Sequence, residues 1–291
     1  MRAIRVLLWC LAATALAADP AGAWWAEGHA RIDGAAALVL PEDMPEFFRR
    51  GADRITSYSM DPDLWRAPEL PALRSAEGGN HFLDLELLKG RELPPTRREY
   101  HALCRELEVD PFLVGTLSYS IQEWHDRLAF AFREHRARPD DEAVRAEVLY
   151  IAGVLSHYTG DASQPLHCTV HYDGRAGADG SSPKTGVHAQ MDALPGRLRL
   201  EPAVIAEGLK IKAPEDVFAF AVTAIRESNR RVDLVYRLED ELPPAEGPLE
   251  GGPDERVVEL GRNCCAAGAE LTATVWYSAW LKSADISLPA W

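Results

Sequence analysis

Histidine and aspartate residues are concentrated in one stretch of the chain, at spacings that suit metal binding. His157 and Asp161 lie four residues apart, His167 follows six residues later, and the His-x3-Asp spacing recurs at His188 and Asp192. On an α-helix, residues four apart share one face, so each pair can reach a single ion. Either pair alone is equally well explained as a core histidine oriented by a carboxylate. Five such residues within 36 positions instead predict a site for more than one metal ion, with zinc as the first candidate.

Long helices are predicted to position these residues, because apolar side chains recur along much of the chain at spacings of three and four. One helix is predicted to start at Asp110-Pro111. Another ends at Asp161 and carries two apolar rows, which predicts a helix buried on both sides at the centre of the fold. The predicted long helices span about residues 110–132, 141–161, 214–236 and 254–281.

The remaining pattern predicts one all-α domain, a multi-helix bundle over residues 24–291. No alternating strand pattern longer than a few residues is present. Residues 172–186 and 242–253 are rich in glycine and proline, which is typical of exposed connections. The composition is uniform along the chain, as expected for a single domain of this length.

The N-terminus has the pattern of a secretory signal peptide. Arg2 and Arg5 precede an apolar stretch, residues 6–17, which is too short to span a bilayer. Of two possible cleavage points, the one after Ala-Gly-Ala removes residues 1–23 and makes Trp24 the first residue. The mature protein is therefore predicted to be secreted or periplasmic, without stable membrane insertion.

The charge balance excludes one class of function. Without residues 1–23, 29 basic side chains stand against 44 acidic ones, a net charge of −15. A surface this acidic lacks the basic patch with which proteins bind nucleic acid generally. Any phosphate group that the protein handles is expected to be held by metal ions.

Cysteine usage leaves two interpretations open. Cys104, Cys168, Cys264 and Cys265 remain after cleavage. An oxidising compartment permits up to two disulfides among them. Buried free thiols are an equally good interpretation, since pairing cannot be deduced from sequence.

The histidine motif resembles that of a zinc-dependent superfamily, which contains bacterial phospholipases C and the single-strand nucleases S-one and P-one. Its members carry His-x3-Asp-x5-His, written with Gly-Asp and Gln-Pro-Leu-His, and then His-x3-Asp or His-x3-Glu. The matching segments here are Gly160-Asp161, Gln164-Pro165-Leu166-His167 and His188-x3-Asp192.

The resemblance implies a ligand at the mature N-terminus. In the superfamily, the α-amino group and carbonyl oxygen of an N-terminal tryptophan bind metal, with a histidine five residues later in the nucleases. Trp24 and His29 have this spacing.

Two further motifs extend the match. The family segment His-Phe-x-Asp is matched by His81-Phe82-Leu-Asp, and an upstream Asp-x-x-Arg is matched by Asp63 and Arg66. Asp61 is the alternative to Asp63, but it has no arginine three residues later.

The resemblance thus implies three zinc ions held by nine residues. Asp161 would bridge two of the ions, and all five histidines would bind as neutral rings. The implied ligand sets are Asp63, His81, His157 and Asp161 for the first ion; His167, His188 and Asp192 for the second; and Trp24, His29 and Asp161 for the third.

The implied reaction is hydrolysis of a phosphoester. Clustered zinc lowers the pKa of bound water from about 15.7 towards 7, so a hydroxide can attack phosphorus near neutral pH. Asp63 would orient this nucleophile, and Arg66 would hold a phosphate oxygen by charge-assisted hydrogen bonds. Phe82 is a candidate for stacking a base, although packing in the core explains it equally well.

Within the superfamily the resemblance is closer to the nucleases, which implies cleavage of single-stranded DNA or RNA to 5′-nucleotides. The Trp24–His29 spacing, aspartate at position 192 and the loop of 20 residues between His167 and His188 favour this branch. The nucleases' Gly-Gly-Asn in that loop and Asn-Leu before the final histidine are absent. A phospholipase C acting on phospholipid head groups is therefore the alternative. A periplasmic zinc-binding protein without catalysis is the second alternative, and no protein partner is inferred.

Four histidines have no counterpart in the family and are left out of the predicted site. His125 and His135 lie among charged residues of a predicted helix, so both are expected at the surface. His101 and His171 are the other two.

Overall fold

The computed structural model describes residues 24–177, 180–249 and 251–287. The predicted signal peptide, residues 1–23, lies outside the described residues. Within these ranges the regular structure is helical, and the one strand-type pairing is an isolated bridge between Tyr172 and Gly174. The all-α prediction is confirmed. No helix in these ranges is long and apolar enough to cross a membrane.

The described part of the chain contains long helices and short helical turns between them. The α-helices are α1 (Ala26–Leu38), α2 (Glu46–Arg49), α3 (Ala52–Tyr58), α4 (Asp61–Leu64), α5 (Pro71–Glu77), α6 (Arg97–Leu107), α7 (Pro111–Val114), α8 (Leu117–Ala137), α9 (Glu142–Asp161), α10 (Val187–Arg197), α11 (Pro202–Ile205), α12 (Val217–Asn229), α13 (Val232–Arg237) and α14 (Glu255–Lys282). Short 3-10 helices span Gly78–His81, Leu85–Leu88, Pro165–His167 and Glu239–Glu241.

Helix α9 lies at the centre of the fold, as its two apolar rows predict. It begins after Asp141, whose carboxylate accepts hydrogen bonds from the N–H groups of Ala143 and Val144. It contacts α8, α3, α14 and α1, and every residue from Ile151 to Asp161 is buried. Trp276 of α14 is fully buried and donates from its indole to the Ala152 carbonyl oxygen over 3.1 Å. The last two turns of α9 are therefore held by packing on several sides.

A glycine lets α3 approach α9 closely. A Cβ atom at Gly153 would lie 2.5 Å from the Ile55 carbonyl oxygen and 2.6 Å from the Tyr58 Cβ. Both distances are shorter than real Cβ contacts allow. The close approach brings Ser59, the residue after α3, to within hydrogen-bond distance of His157.

Two predicted helices are interrupted. The segment 110–132 breaks at Gly115, where φ is +90° and a Cβ would lie 2.1 Å from the Phe82 carbonyl oxygen. The sequence predicted an unbroken helix there because local periodicity carries no information about the backbone of Phe82, which crosses at this point. The segment 214–236 forms α12 and α13 with a break between Asn229 and Val232. The prediction for 254–281 is confirmed by α14, which Asp254 caps.

Two histidines predicted at the surface are buried. His125 and His135 lie on the inner face of α8. The ring of His135 packs against Phe47 with centroids 4.6 Å apart. The prediction was wrong because charged neighbours in sequence occupy the outer face of the same helix.

The four cysteines Cys104, Cys168, Cys264 and Cys265 are buried free thiols.

We expect Gly153→Ala to destabilise the protein by about 1–3 kcal/mol, because the added methyl group must displace α3 from α9. Urea unfolding of both proteins measures this difference. Gly252→Ala is the control, since a Cβ there meets nothing within 4 Å, and it should be neutral or slightly stabilising. Equal stability of the two variants would contradict the close packing of α3 on α9.

Candidate metal centre

The structure brings eight predicted ligand side chains into three adjoining groups. Within each group, one potential ligand atom from each residue lies within 4.8 Å of the others. His157 belongs to two of the groups, and the third group adjoins them because His167 Nδ1 lies 3.9 Å from Asp161 Oδ1. The groups are His29, His157 and Asp161; Asp63, His81 and His157; and His167, His188 and Asp192.

The first predicted ion has the best-defined ligand geometry. Asp161 Oδ2 lies 3.2 Å from His81 Nδ1 and 3.3 Å from His157 Nε2, and these two nitrogens are 2.9 Å apart. Asp63 Oδ1 is 3.7 Å from the same His81 atom and 3.9 Å from that of His157. A tetrahedral zinc ion with bonds of about 2.0–2.2 Å separates its ligand atoms by roughly 3.3–3.6 Å. The contacts of Asp161 with both rings are close to these separations, and those of Asp63 are a few tenths of an ångström longer.

The second oxygen of Asp161 faces a different set of rings. Its Oδ1 lies 3.5 Å from His29 Nε2, on the side where the third ion is expected. A carboxylate whose two oxygens face different histidines has the geometry of a bridge between two ions.

In the remaining group, His188 Nε2 lies 3.2 Å from Asp192 Oδ2, and the ring centroids of His167 and His188 stack 5.1 Å apart.

Main-chain carbonyl groups fix the protonation of three histidines. In each case Nδ1–H donates to a carbonyl oxygen, so Nε2 presents its lone pair. This is the arrangement typical of histidines that bind a metal through Nε2. The pairs are His157 with Ser59 at 2.7 Å, His167 with His81 at 2.8 Å, and His188 with Tyr172 at 3.1 Å.

Several buried polar atoms of the site have no hydrogen-bond partner among the described residues. An unpartnered buried polar atom costs about 1–3 kcal/mol, so a folded protein rarely leaves many of them together. Most of these atoms face another predicted ligand, and a shared cation would satisfy them; Nε2 of His81 is an exception, because it faces Glu77 instead. The donor set therefore fits zinc. The atoms are Nδ1 and Nε2 of His29, Nε2 of His81, Nε2 of His167, Oδ1 of Asp161 and Oδ2 of Asp192.

Burial shifts the pKa values of the predicted ligand side chains in the direction that favours their neutral forms. Burial, together with the charges of Asp63 and Asp192, raises the pKa of Asp161 well above its usual value. Burial raises the pKa of Asp63 to about 6, although Arg66 opposes the shift. Divalent cations reverse this effect on carboxylates, because they favour the ionised form.

The histidines are shifted in the direction that metal binding requires, with one exception. Burial lowers the pKa of His157 to about 3 and those of His29, His81 and His167 well below the usual value. These rings are therefore neutral at physiological pH, as a metal ligand must be. For His188, burial acts in the same direction, but the charge and hydrogen bond of Asp192 outweigh it and raise the pKa.

The N-terminal segment is attached beside two of the predicted ligands. The buried Trp24 indole donates to the Gly160 carbonyl oxygen at 3.0 Å and to Ser163 Oγ at 3.2 Å. The next N–H group, of Trp25, donates to the carbonyl oxygen of Asp192 over 3.1 Å. These contacts hold the start of the described chain next to the metal centre. A ligand role for the Trp24 amine stays a prediction, because it depends on cleavage after residue 23.

The open side of the centre carries the two residues predicted to act on substrate. Asp63 and Arg66 side chains are 15% and 25% exposed, and their Oδ1 and Nη1 atoms are 3.3 Å apart. His188 is 13% exposed, whereas the side chains of His29 and Asp161 are fully buried. The solvent-accessible side chains at the centre are therefore those of Asp63, Arg66 and His188.

The other two candidates are placed differently. Asp61, the alternative to Asp63, belongs to none of the three groups. Phe82 is half-buried, and its ring lies against Gly115, where a Cβ would be 2.8 Å from Cδ2. The backbone of Phe82 also accepts a hydrogen bond from Leu117. Packing accounts for these contacts, and base stacking stays a prediction.

Sequence reasoning missed residues that support the ligands. Gln164 donates to Asp192 Oδ1 over 2.7 Å, and it lies inside the matched motif without an assigned role. Glu77 precedes His81 by four residues, a spacing visible in the sequence. The carbonyl groups of Ser59 and Tyr172 give no sequence signal, since every residue has one.

Comparison with known proteins gives little further support. No protein-family model matches the chain, and no curated protein matches its sequence. A solved structure that matches is the alpha-toxin of Clostridium perfringens, isolated from avian strain SWCP, with 14% identity and a TM-score of 0.40. The match covers 89% of this chain but 64% of the alpha-toxin chain, which is less than two thirds. A likeness of this degree decides neither the family nor the activity.

We expect Asp161→Asn to have opposite effects with and without metal. The zinc-loaded variant should lose at least one ion and much of the stability that zinc adds, because a bridging ligand contributes folding free energy. The metal-free variant should be at least as stable as metal-free wild type at pH 8, since burial disfavours the ionised carboxylate. Zinc analysis and thermal unfolding with and without EDTA measure both effects. Full zinc content in the variant would disprove the bridge.

We expect Asp63→Asn to lose one zinc ion under conditions that saturate wild type, because Asp63 lies among the ligands of the first ion. Asp61→Asn is the matched control, two residues away in the same short helix α4, and should keep all of its zinc. Metal analysis after gel filtration distinguishes them. The reverse result would assign the ligand to Asp61.

Proposed function

We propose that this chain is a zinc-dependent phosphodiesterase of the phospholipase C and P-one nuclease superfamily, and that it acts as a single-strand nuclease. The observation that supports this most is the convergence of eight motif residues, from distant parts of the sequence, on one buried centre. The unpartnered ring nitrogens and carboxylate oxygens at that centre are the second support.

The proposed zinc centre uses the three ligand sets that the resemblance implies, with the Trp24 main chain completing the third. Zinc bound there would acidify a water molecule and polarise a phosphoryl group. The buried ligands exclude bulk water from the inner side of the centre, where His29 and Asp161 are fully buried. This dry environment strengthens each electrostatic contact with substrate.

Two side chains on the open side are proposed to act on the substrate. Asp63 faces both the metal ligands and solvent, so its carboxylate can orient the attacking water. Arg66 carries a fixed positive charge beside it and can donate to a non-bridging phosphate oxygen. Their mutual contact at 3.3 Å holds both groups in place before substrate binds. Arg66 thus supplies a local cation in a chain whose overall charge repels phosphate.

A phospholipase C activity is the second candidate, and one structural feature favours it. Phe112 and Leu113 of α7 are 53% and 68% exposed. Phe112 packs beside Gly79, in the 3-10 helix that ends with His81. Exposed apolar side chains near a site suit a lipid surface. Against this, the acidic chain does not favour anionic lipid.

The chain is further proposed to work outside the cytoplasm as one domain, residues 24–291, after removal of residues 1–23. The apolar N-terminal stretch supports cleavage at one of two points, and the need for a free Trp24 amine favours the point after residue 23. A non-catalytic zinc protein is the weaker alternative, since the open side keeps both Asp63 and Arg66.

Hydrolysis assays on the mature, zinc-loaded protein distinguish these functions. We expect zinc-dependent degradation of single-stranded DNA and RNA to 5′-mononucleotides, with no release of head groups from phosphatidylcholine vesicles. An EDTA-stripped sample is the control, and activity should return with zinc. Cleavage of lipid alone would establish the phospholipase alternative instead. No activity on either substrate at full zinc content would contradict both.

A further inference from the structure

A buried carboxylate that no motif assigns lies behind one of the predicted ligands. Glu77 is the last residue of α5 and is buried. Its Oε2 accepts hydrogen bonds from the Tyr158 hydroxyl at 2.8 Å and from Asn80 Nδ2 at 3.0 Å. The same oxygen lies 4.0 Å from His81 Nε2. A buried carboxylate needs such donors, and His81 is positioned to add one more.

The two ring nitrogens of His81 face opposite environments. Nδ1 faces the metal centre, 3.2 Å from Asp161 Oδ2 and 2.9 Å from His157 Nε2. Nε2 faces away from it, is buried, and has no hydrogen-bond partner among the residues that the structure describes. If Nδ1 binds a metal as a neutral imidazole, then Nε2 carries the proton and requires an acceptor.

We propose that Glu77 is a positioning residue for the metal centre. Its carboxylate accepts the Nε2 proton of His81, directly or through one water molecule, and holds the ring with Nδ1 towards the zinc ion. The acceptor also increases the basicity of Nδ1, which strengthens its bond to the metal. This inference rests on the zinc centre of the proposed function but not on the choice of substrate.

The surroundings of Glu77 hold its carboxylate rigidly. Tyr158 follows His157 on α9, so one donor comes from the helix that carries two ligands. Asn80 is itself fixed, because its Oδ1 accepts from Thr116 Oγ1 at 2.9 Å and from Ser120 Oγ at 3.0 Å. The carboxylate is therefore attached to α9 on one side and to the start of α8 on the other. Such support is what a ligand-orienting group needs.

The test is the zinc affinity of Glu77 variants, measured by competition with a chromophoric chelator. We expect Glu77→Ala to weaken the binding of one zinc ion by about 10–100-fold, the usual effect of losing a partner of a metal-bound histidine. Glu77→Gln keeps an oxygen acceptor of nearly the same shape and should restore part of this loss. It also gives a folded variant if Glu77→Ala unfolds.

Glu86→Ala is the control, at a carboxylate that is more exposed than Glu77. Glu86 also accepts several hydrogen bonds, from Thr169, the Val170 N–H group and Asn229, but none from a predicted ligand. It should lose stability without losing zinc affinity. If Glu77→Ala and Glu77→Gln both bind zinc as wild type does, and only the EDTA-stripped proteins are less stable, Glu77 is structural and the inference is wrong. A wrong choice of substrate shows instead in the activity of wild type, at unchanged zinc affinities.

Discussion

The carboxylate of Asp161 is the group on which the rest of the centre depends. It is fully buried at the end of α9, and histidines from three other parts of the chain face its two oxygens. An ionised carboxylate in such a place is costly unless positive charge accompanies it, and Asp63 and Asp192 add to the repulsion. No lysine or arginine makes an ion pair with Asp161 among the described residues. A cluster of divalent cations is the compensation that the surrounding side chains are suited to hold.

The helical framework positions the ligands mainly through backbone groups. Carbonyl oxygens at Ser59, His81 and Tyr172 set the tautomers of three histidines, and each lies at the end of a helix or in a loop. Glycines allow the necessary approaches, since a Cβ at Gly160 would lie 2.8 Å from His29 Nδ1. The packing of α3 and α1 against α9 is therefore also the mechanism by which the ring orientations are fixed. Mutations in these contacts should therefore change the orientation of the histidine rings from a distance.

The centre also shows a division between an inner and an outer side. Buried ligands and unassigned supports such as Glu77 and Gln164 lie on the inner side, where hydrogen bonds to protein groups fix them. Asp63 and Arg66 lie on the outer side, partly exposed and paired with each other. Asp63 belongs to both sides, because it lies among the predicted ligands and is also partly exposed beside Arg66.

The sequence by itself determined the helical class, the central position of α9 and the residue types of the site. Hydrophobic periodicity and His-x3-Asp spacing are local properties, so they can be recognised without a fold. Only the tertiary structure decided that α8 starts after a break at Gly115, that His125 and His135 turn inward, and that Asp63 rather than Asp61 lies beside His81 and His157. It also decided that Glu77 lies behind His81. These features depend on contacts between segments that are distant in sequence. Packing between helices determines those contacts, and a local sequence pattern does not reveal it.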